Sequence, residues 1–479
     1  MKKTHFKIDE SEVIVMPVNI YQEDAQMIVD TVLSIHPKID WKNPKAWIEK
    51  AADRLIKDAQ RCEDHAKFFN IAQRFFKSIS DAHTAIYKPD QLFREPPITL
   101  EEIEDQIVID DYIKTHDILP KAIKNHMVLL EVDGINVEIA IKHIMDQEVY
   151  NVFEYGKMLA IRALLKTPQD QDSIALTLLN DQNQKEVITC PLFDQNHPKV
   201  SSWYAQKQRK QMLKAIEFDI FDDIKAGYLK YTQCKDRTIP SFVSEAKALG
   251  INEKDLPQID EICDQLFLEM NQKGYHHLIL DLRDNEGGDA SLGYEIIKRI
   301  TNQDILSYGS YYRASERLQS TIEKTIHLYQ ESHQKTLQEI LDTKVGTIKE
   351  SNHQLLKYPY RGNYPKHYQF NCQLTVLINH KVYSSGEWLA VELKDNHLAT
   401  FIGTPTGGGG SVPGDTLTFR TPNTKILFDV SYRYFFRPDK HLENDRFVRP
   451  DHLVKQTLND QKHNIDTVLT YAKNTIKSL

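Results

Sequence analysis

Cysteine is scarce in this chain of 479 residues. There are five, an odd number, and their wide and irregular spacing contains no Cys-x-x-Cys pair. This usage argues against a disulfide framework. We expect reduced and mostly buried thiols at all five positions, Cys62, Cys190, Cys234, Cys263 and Cys372.

Long apolar runs are also missing. No window approaches the roughly 18 consecutive apolar residues that a membrane-spanning helix needs. The first ten residues begin with the positive charge of a signal peptide but carry acidic side chains where its apolar core should lie. We expect a cytoplasmic protein with no membrane partner, and an exported mature form stays open if the chain has been trimmed.

Basic clusters are absent as well. The net charge is −8 and no Lys/Arg patch is interleaved with aromatic residues, so nucleic acid is excluded as an expected partner. The glycine run 407–410 lacks the Gly-Lys-Ser/Thr ending of a phosphate loop, which disfavours nucleotide binding. No Gly-x-Ser-x-Gly elbow occurs, which disfavours an ordinary α/β-hydrolase.

The length and the apolar fraction of 41% suit about three domains with real cores. Apolar residues at helical spacing over residues 20–80 predict an N-terminal helical domain, residues 1–104. Short strands, including 127–132 and a hairpin of 173–179 with 185–189, predict a β-rich module, residues 105–204.

The third predicted unit, residues 205–479, alternates strands and helices and favours a mostly parallel sheet. Its strands are expected at 277–282, 374–378 and 399–403, and its helices at 294–300 and 387–394. Residues 313–358 are charged and periodic, which predicts a helical insertion such as a lid or an arm. The expected fold is therefore a multidomain α/β protein.

A serine stands where one predicted strand turns into a helix, in Val382-Tyr383-Ser384-Ser385-Gly386-Glu387. A nucleophile at this corner would profit from the unpaired N–H groups and the dipole of the helix N-terminus. The bland alternative is a capping box of Ser384 and Glu387, which only satisfies the first backbone donors of the helix. We expect Glu387 to cap and to do no chemistry.

Two glycine-rich segments follow buried strands, 287–288 and 403–410. Glycines there let backbone N–H groups approach a ligand closely, as in an oxyanion hole, although a tight turn before a helix is the favoured explanation of Gly287 and Gly288 taken in isolation. A serine nucleophile also needs a base. Among 19 histidines, His83 is the best candidate because Asp81-Ala82-His83-Thr84 lies at a helix-to-strand junction.

These segments together resemble the S41 peptidases, which include the tail-specific or C-terminal processing proteases and the tricorn core. The family's motifs are matched in order by residues 280–288, 384–387, 403–408 and 450–451. The resemblance covers roughly residues 205–455. It implies a crotonase/ClpP-like ββα catalytic core, and a peptide or protein substrate without metal or organic cofactor.

The resemblance also selects the catalytic variant. The processing proteases use a lysine base, and the matching position here is Gly409. The tricorn-like branch uses a histidine in Asp-x-His-Thr and a glutamate before the final Pro-Asp, which Asp81 to Thr84 and Glu443 match. The resemblance therefore implies a triad of Ser384, His83 and Glu443.

An oxyanion hole would come from the N–H of Ser385 and that of Gly287 or Gly288, with Gly287 preferred. Asp81 competes with Glu443 as the group that orients His83, although a local turn role is the more common one for such an aspartate.

The middle unit resembles PDZ-like modules through residues 130–137, although its glycine is displaced and no carboxylate-binding loop precedes it. The leading hypothesis is a serine peptidase. The alternatives are a non-catalytic peptide- or protein-binding member on the same scaffold, or an esterase. The sequence allows a homo-oligomer, and it is compatible with either endopeptidase or exopeptidase action.

Overall fold

The structure is a computed structural model that describes most of the chain. The described residues are 19–39, 45–87, 93–115, 117–150, 152–180, 182–194, 196–301, 303–328, 331–356, 372–442 and 445–478.

Three helices form the N-terminal part, as the apolar periodicity predicts. They are α1 (Ile20–Ile35), α2 (Ala46–Ala59) and α3 (His65–Ile79). Helix α3 begins where Asp64 accepts the N–H of Lys67 and ends where Ser80 adopts a left-handed φ of 56°. This reversal directs the next residues, 81–83, away from the helix axis and toward the rest of the molecule.

The middle unit is an antiparallel sheet covered by two helices. Its elements are β1 (Phe93–Arg94), β2 (Ile98–Ile103), β3 (Gln106–Tyr112), β4 (Val128–Val132), β5 (Ile135–Asn136), α4 (Val137–Met145), α5 (Phe153–Ala163), β6 (Thr167–Pro168), β7 (Ser173–Leu179) and β8 (Lys185–Pro191). The strand order is β2-β3-β4-β7-β8, and β5 pairs with β4. The predicted hairpin is confirmed, since β7 and β8 pair antiparallel. Its likeness to PDZ modules stays a prediction.

The third unit contains the remaining elements. Its helices are α6 (Pro198–Leu213), α7 (Pro240–Ala248), α8 (Ile259–Lys273), α9 (Gly293–Ile300), α10 (Glu316–Thr325), α11 (Glu331–Leu341), α12 (Ser385–Asp395), α13 (Leu458–Lys462) and α14 (Thr467–Lys477). Its strands are β9 (Ile216–Phe221), β10 (Ala226–Tyr231), β11 (His277–Asp281), β12 (Ile305–Leu306), β13 (Gly309–Arg313), β14 (Ile348–Ser351), β15 (Leu355–Leu356), β16 (Gln373–Ile378), β17 (Thr400–Gly403), β18 (Val412–Arg420), β19 (Leu427–Phe436) and β20 (His452–Leu453).

The central sheet has the order β20-β17-β16-β11-β10-β9, and every neighbouring pair except β9 with β10 is parallel. The predicted mostly parallel sheet is therefore confirmed. Strands β11, β16 and β17 are buried almost throughout, which explains their continuous apolar runs. Because these strands are parallel, the loops that follow them meet at one edge of the sheet.

A second, antiparallel sheet has the order β14-β13-β19-β18. It shares one apolar cluster with the N-terminal helices, in which Phe76 of α3 packs against Phe428 of β19 with ring centroids 5.7 Å apart. The N-terminal helices therefore bury their apolar faces against the third unit, and this contact brings the end of α3 close to that unit.

The prediction of a wholly helical insertion over 313–358 is wrong in part. Helices α10 and α11 are present, but β14 and β15 follow them, and β14 pairs with β13. Strand β14 is only four residues long and mostly exposed, so it carries no alternation of apolar and polar residues that would mark it as a strand. Both helices contribute to the apolar cluster of the N-terminal helices through Leu318, Ile322, Leu337 and Ile340. Residues 357–358 lie outside the described residues.

The thiol prediction is confirmed: all five cysteines are free and four of them are buried. Within the described ranges, no helix combines the length and the apolar character needed to cross a membrane.

Candidate active site

Ser384 lies at the junction of the loop after β16 and the start of α12, with φ 52° and ψ −123°. Such a conformation is costly for a residue with a side chain and persists only where the surroundings impose it. Here they do, because the N–H of Tyr383 donates to the carbonyl of Asn285 at 2.9 Å and the N–H of Gly386 to that of Tyr383 at 3.0 Å. A Cβ on Gly386 would stand 2.4 Å from the Asn285 oxygen, so only glycine allows this packing.

The expected capping box is wrong. The Ser384 side chain makes no capping hydrogen bond, because its backbone conformation turns the hydroxyl away from the helix. Glu387 is buried and accepts instead the N–H of Gly408 at 2.8 Å. Burial raises the pKa of Glu387 to about 8, against hydrogen bonds from residues 406 and 408 and the charge of Arg437, which lower it. This carboxyl group therefore links helix α12 to the glycine-rich loop 403–410.

His83 reaches the serine from the N-terminal part of the chain. Its Nε2 lies 3.3 Å from the Ser384 Oγ, across 301 residues of sequence. The imidazole stacks on the Tyr383 ring with centroids 5.1 Å apart, and its side chain is 18% exposed. The imidazole is thus partly accessible to solvent.

Asp81 lies directly behind His83 and is 1% exposed. Its Oδ1 accepts the backbone N–H of His83 at 3.0 Å, which is the local turn role expected for this residue. The same oxygen lies 3.8 Å from the His83 Nδ1. The aspartate therefore faces the imidazole as well as closing the turn.

Glu443 lies outside the described residues, as does its neighbour at 444. The chain that follows these two residues passes close to the site. Phe447 packs against the cluster that contains Tyr383, and the carbonyl of Asp445 would lie 2.8 Å from a Cβ on Gly410.

Gly287 and Gly288 follow β11 and lie against the nucleophile corner. Gly287 has φ 106°, and a Cβ there would stand 2.8 Å from the Ser384 Cβ. Its N–H donates to the Asn285 side-chain oxygen at 3.0 Å. Gly288 forms a parallel bridge with Cys234, and its carbonyl accepts the Ser385 hydroxyl at 2.7 Å.

The glycines of the loop 403–410 have a different role from Gly287 and Gly288. A Cβ on Gly403 would lie 2.0 Å from the carbonyl oxygen of Ile378, and one on Gly407 equally close to that of His380. These glycines let the loop pack against the segment between β16 and Ser384. The packing of this loop thus helps to fix the position of the segment that leads into Ser384.

Two tyrosines escaped the sequence reasoning. Tyr155 of α5 stacks on Tyr383 with centroids 4.3 Å apart and planes 10° apart, so three rings run from the middle unit to His83. The position of Tyr383 next to the serine was an available signal. No local signal marks Tyr155, because its contact depends on how α5 docks.

No cluster of three or more His, Cys, Asp or Glu side chains suited to a metal ion occurs in the described parts of the chain. What the site does bring together is a strained serine, a histidine at 3.3 Å and a glycine-lined backbone beside the serine. These are the parts that nucleophilic acyl transfer requires.

Comparison with known proteins agrees with this chemistry. The model of peptidase family S41 matches residues 225–454, a range that includes Ser384 and both glycines of the β11 loop but not His83. No curated protein matches the sequence significantly.

Two solved structures have the same fold over nearly the whole chain. Mature CPAF complexed with lactacystin has a TM-score of 0.67 at 15% identity, covering 96% of this chain and 98% of that one. A serine-to-alanine mutant of CPAF has a TM-score of 0.68 at 13% identity, covering 96% of each chain. The match identifies residues 225–454 as a domain of peptidase family S41, and the chain is a serine-type peptidase.

Proposed function

We propose that the chain cleaves peptide bonds with Ser384 as nucleophile, His83 as general base and Glu443 as the third member of the triad. The observation that carries the proposal is the 3.3 Å separation between the His83 Nε2 and the Ser384 Oγ. That distance is slightly longer than an ideal hydrogen bond, as is common before substrate binds. The His83 imidazole takes the serine proton as Oγ attacks the carbonyl carbon, and then delivers it to the leaving amine.

The N–H groups of Ser385 and Gly288 are the best-supported donors for the oxyanion. Among the described residues neither has a hydrogen-bond acceptor, whereas the N–H of Gly287 is taken by Asn285. In the bridge to Cys234, the carbonyl of Gly287 and the N–H of Asp289 make the two hydrogen bonds. The N–H and C=O of Gly288 therefore point to the opposite side. On that side its carbonyl meets the Ser385 hydroxyl. This favours Gly288 over Gly287.

Glu443 is assigned by the resemblance to the tricorn-like branch alone. Its support is indirect: Phe447, four residues later, packs against the apolar cluster that contains Tyr383, and the Tyr383 ring stacks on the His83 imidazole. A carboxylate there would orient the imidazole and compensate the charge that forms on it.

The test is hydrolysis of a peptide library by three variants of the full chain. Ser384→Ala and His83→Gln are each expected to lower kcat/KM by roughly 10⁴-fold or more, since removal of one member disables the unit. Ser320→Ala is the matched control, because Ser320 is an exposed hydroxyl on α10. Near-normal activity of Ser384→Ala would refute the proposal.

Labelling with a fluorophosphonate, followed by mapping of the modified residue, tests the nucleophile independently. The label is expected on Ser384 and should be lost in His83→Gln, because the hydroxyl is a poor nucleophile without its base. An ester library assayed on the same sample measures how far the site also accepts esters.

A further inference from the structure

A buried carboxylate with an unusual set of donors lies behind the base. The Asp81 side chain accepts the Ser431 hydroxyl at 2.7 Å and lies 3.2 Å from the His36 Nε2, both on Oδ2. Its Oδ1 accepts the backbone N–H of His83 at 3.0 Å. Asp81 and His36 are each only 1% exposed. Three elements that are distant in sequence therefore converge on one carboxyl group.

These donors keep the carboxyl group ionised. Burial by itself would raise the pKa of Asp81, but the hydrogen bond and the charge of His36, together with His83, lower it to about 2. An ionised carboxylate can only accept hydrogen bonds, so the His36 Nε2 must carry a proton. The other ring nitrogen, Nδ1, has no partner among the described residues. His36 therefore acts on Asp81 and on no other side chain that the structure describes.

The second oxygen of this carboxylate points at the catalytic histidine. Asp81 Oδ1 lies 3.8 Å from the His83 Nδ1, while the Tyr383 hydroxyl lies 3.4 Å from the same nitrogen. A negative charge at this distance favours a proton on Nδ1, which leaves the lone pair on Nε2, where Ser384 lies. The same charge stabilises the imidazolium that forms when Nε2 is protonated.

We propose that Asp81, held ionised and oriented by His36 and Ser431, is a positioning residue that keeps the proton of His83 on Nδ1 and stabilises the imidazolium during catalysis. The proposal rests on the proposed function of His83 as the base. It adds a carboxylate that approaches the imidazole from the N-terminal part of the chain, whereas Glu443 belongs to the C-terminal part.

Other charged groups near Asp81 belong to different elements. Lys38, which follows α1, has its pKa lowered by burial and interacts with both Asp81 and Arg446. Tyr383 has its pKa raised well above the ordinary value, first by burial, so its hydroxyl stays neutral. Among the described groups that face the imidazole, Asp81 is therefore the one that supplies negative charge.

The decisive variant is Asp81→Asn, which keeps the size of the side chain and an oxygen for the His83 N–H but removes the charge. We expect kcat to fall by roughly 100-fold with little change in KM; the loss is smaller than for a sole orienting aspartate because Glu443 remains. The acid limb of the pH profile should move to lower pH, because the imidazolium loses the carboxylate charge beside it.

Asp24→Asn is the matched control for the loss of a buried carboxylate. Asp24 is 0% exposed and accepts two backbone N–H groups, those of Asn423 and Thr424, but it lies in the first turns of α1. His36 follows the other end of that helix, about 18 Å away along the axis. We expect a loss of stability in both variants, and a shift of the pH profile in Asp81→Asn alone.

Variants of His36 keep the test informative if Asp81→Asn fails to fold. His36→Gln places an amide N–H near the position of Nε2, while His36→Leu removes the donor. We expect roughly tenfold lower kcat for the leucine variant, with a shifted acid limb, and near-normal values for the glutamine variant.

The proposal is overturned if Asp81→Asn matches Asp24→Asn in kcat and pH profile, or if the two His36 variants behave alike. In either case the inactivity of Ser384→Ala and His83→Gln would leave the proposed function standing. Activity retained by those two variants would instead remove the proposed function itself.

Discussion

Glu387 offers a quantitative test of how helix α12, which begins next to Ser384, is supported. Its side chain is 3% exposed; the N–H of Gly408 reaches one oxygen at 2.8 Å, and Oε1 has no partner in the described part of the chain. Burial raises the pKa from an ordinary 4.5 to about 8. At neutral pH the folded protein therefore holds a proton on Glu387 that the unfolded chain has released.

The sign of the pH dependence follows from this difference. Between about pH 4.5 and pH 8 the folded state binds more protons at Glu387 than the unfolded state, so this group makes the free energy of unfolding fall as pH rises. At about 1.4 kcal/mol per pKa unit, the full shift corresponds to roughly 5 kcal/mol. Roughly 3 kcal/mol of that effect builds up between pH 6 and pH 9.

Glu387→Gln has the same shape but no charge to bury. We expect its free energy of unfolding, relative to that of the wild type, to rise by roughly 3 kcal/mol from pH 6 to pH 9. Urea unfolding followed by circular dichroism at several pH values measures this difference. Glu323→Gln, an exposed position on α10, is the control and should show a constant difference. If the difference in the free energy of unfolding between Glu387→Gln and the wild type is also constant with pH, the conclusion that Glu387 is a neutral acid in the folded protein is refuted.

Two further substitutions test the packing around the site. Gly287→Ala would push a Cβ to within 2.8 Å of the Ser384 Cβ and 2.9 Å of the Ser385 nitrogen, so we expect roughly 100-fold loss of kcat. Gly274→Ala, with a φ of 67° and open space, should cost only about 1 kcal/mol and keep activity; equal kcat in both variants would contradict the steric argument. Asp395→Asn removes the negative charge that the buried Arg437 contacts at 2.6 Å and one of its two oxygen acceptors, and thermal unfolding should show a loss of roughly 3 to 5 kcal/mol. A loss below 1 kcal/mol would mean that the guanidinium finds other acceptors.

Local elements were predictable where short-range chemistry decides them. Strand β16 and helix α12 follow from a buried apolar run and the helical stretch after it, and the hairpin of β7 with β8 from alternation around a turn. The edge strand β14 was missed because it forms only by pairing with β13. Periodicity reports a residue's environment along one element, and it carries no information about a neighbour that is distant in sequence.

The same limit explains the failed capping box. A Ser-x-x-Glu pattern predicts a cap if the serine has extended backbone geometry. Here Asn285 and Gly386 impose a φ of 52° on Ser384, and the glycine loop claims the glutamate. Both effects come from β11 and β17 and the loops that follow them, which lie beside the corner only because the strands are parallel neighbours.

By itself, the sequence determined the chemical inventory of this peptidase: a serine at a strand-to-helix corner, glycines after two buried strands, and no lysine at Gly409 to serve as base. It also directed attention to His83, because that histidine follows an aspartate in a matched motif. Only the tertiary structure decided that the His83 Nε2 lies 3.3 Å from the Ser384 Oγ and that His36 meets Asp81 behind it. Those distances depend on the N-terminal helices docking on the second sheet, through apolar contacts that no local pattern encodes.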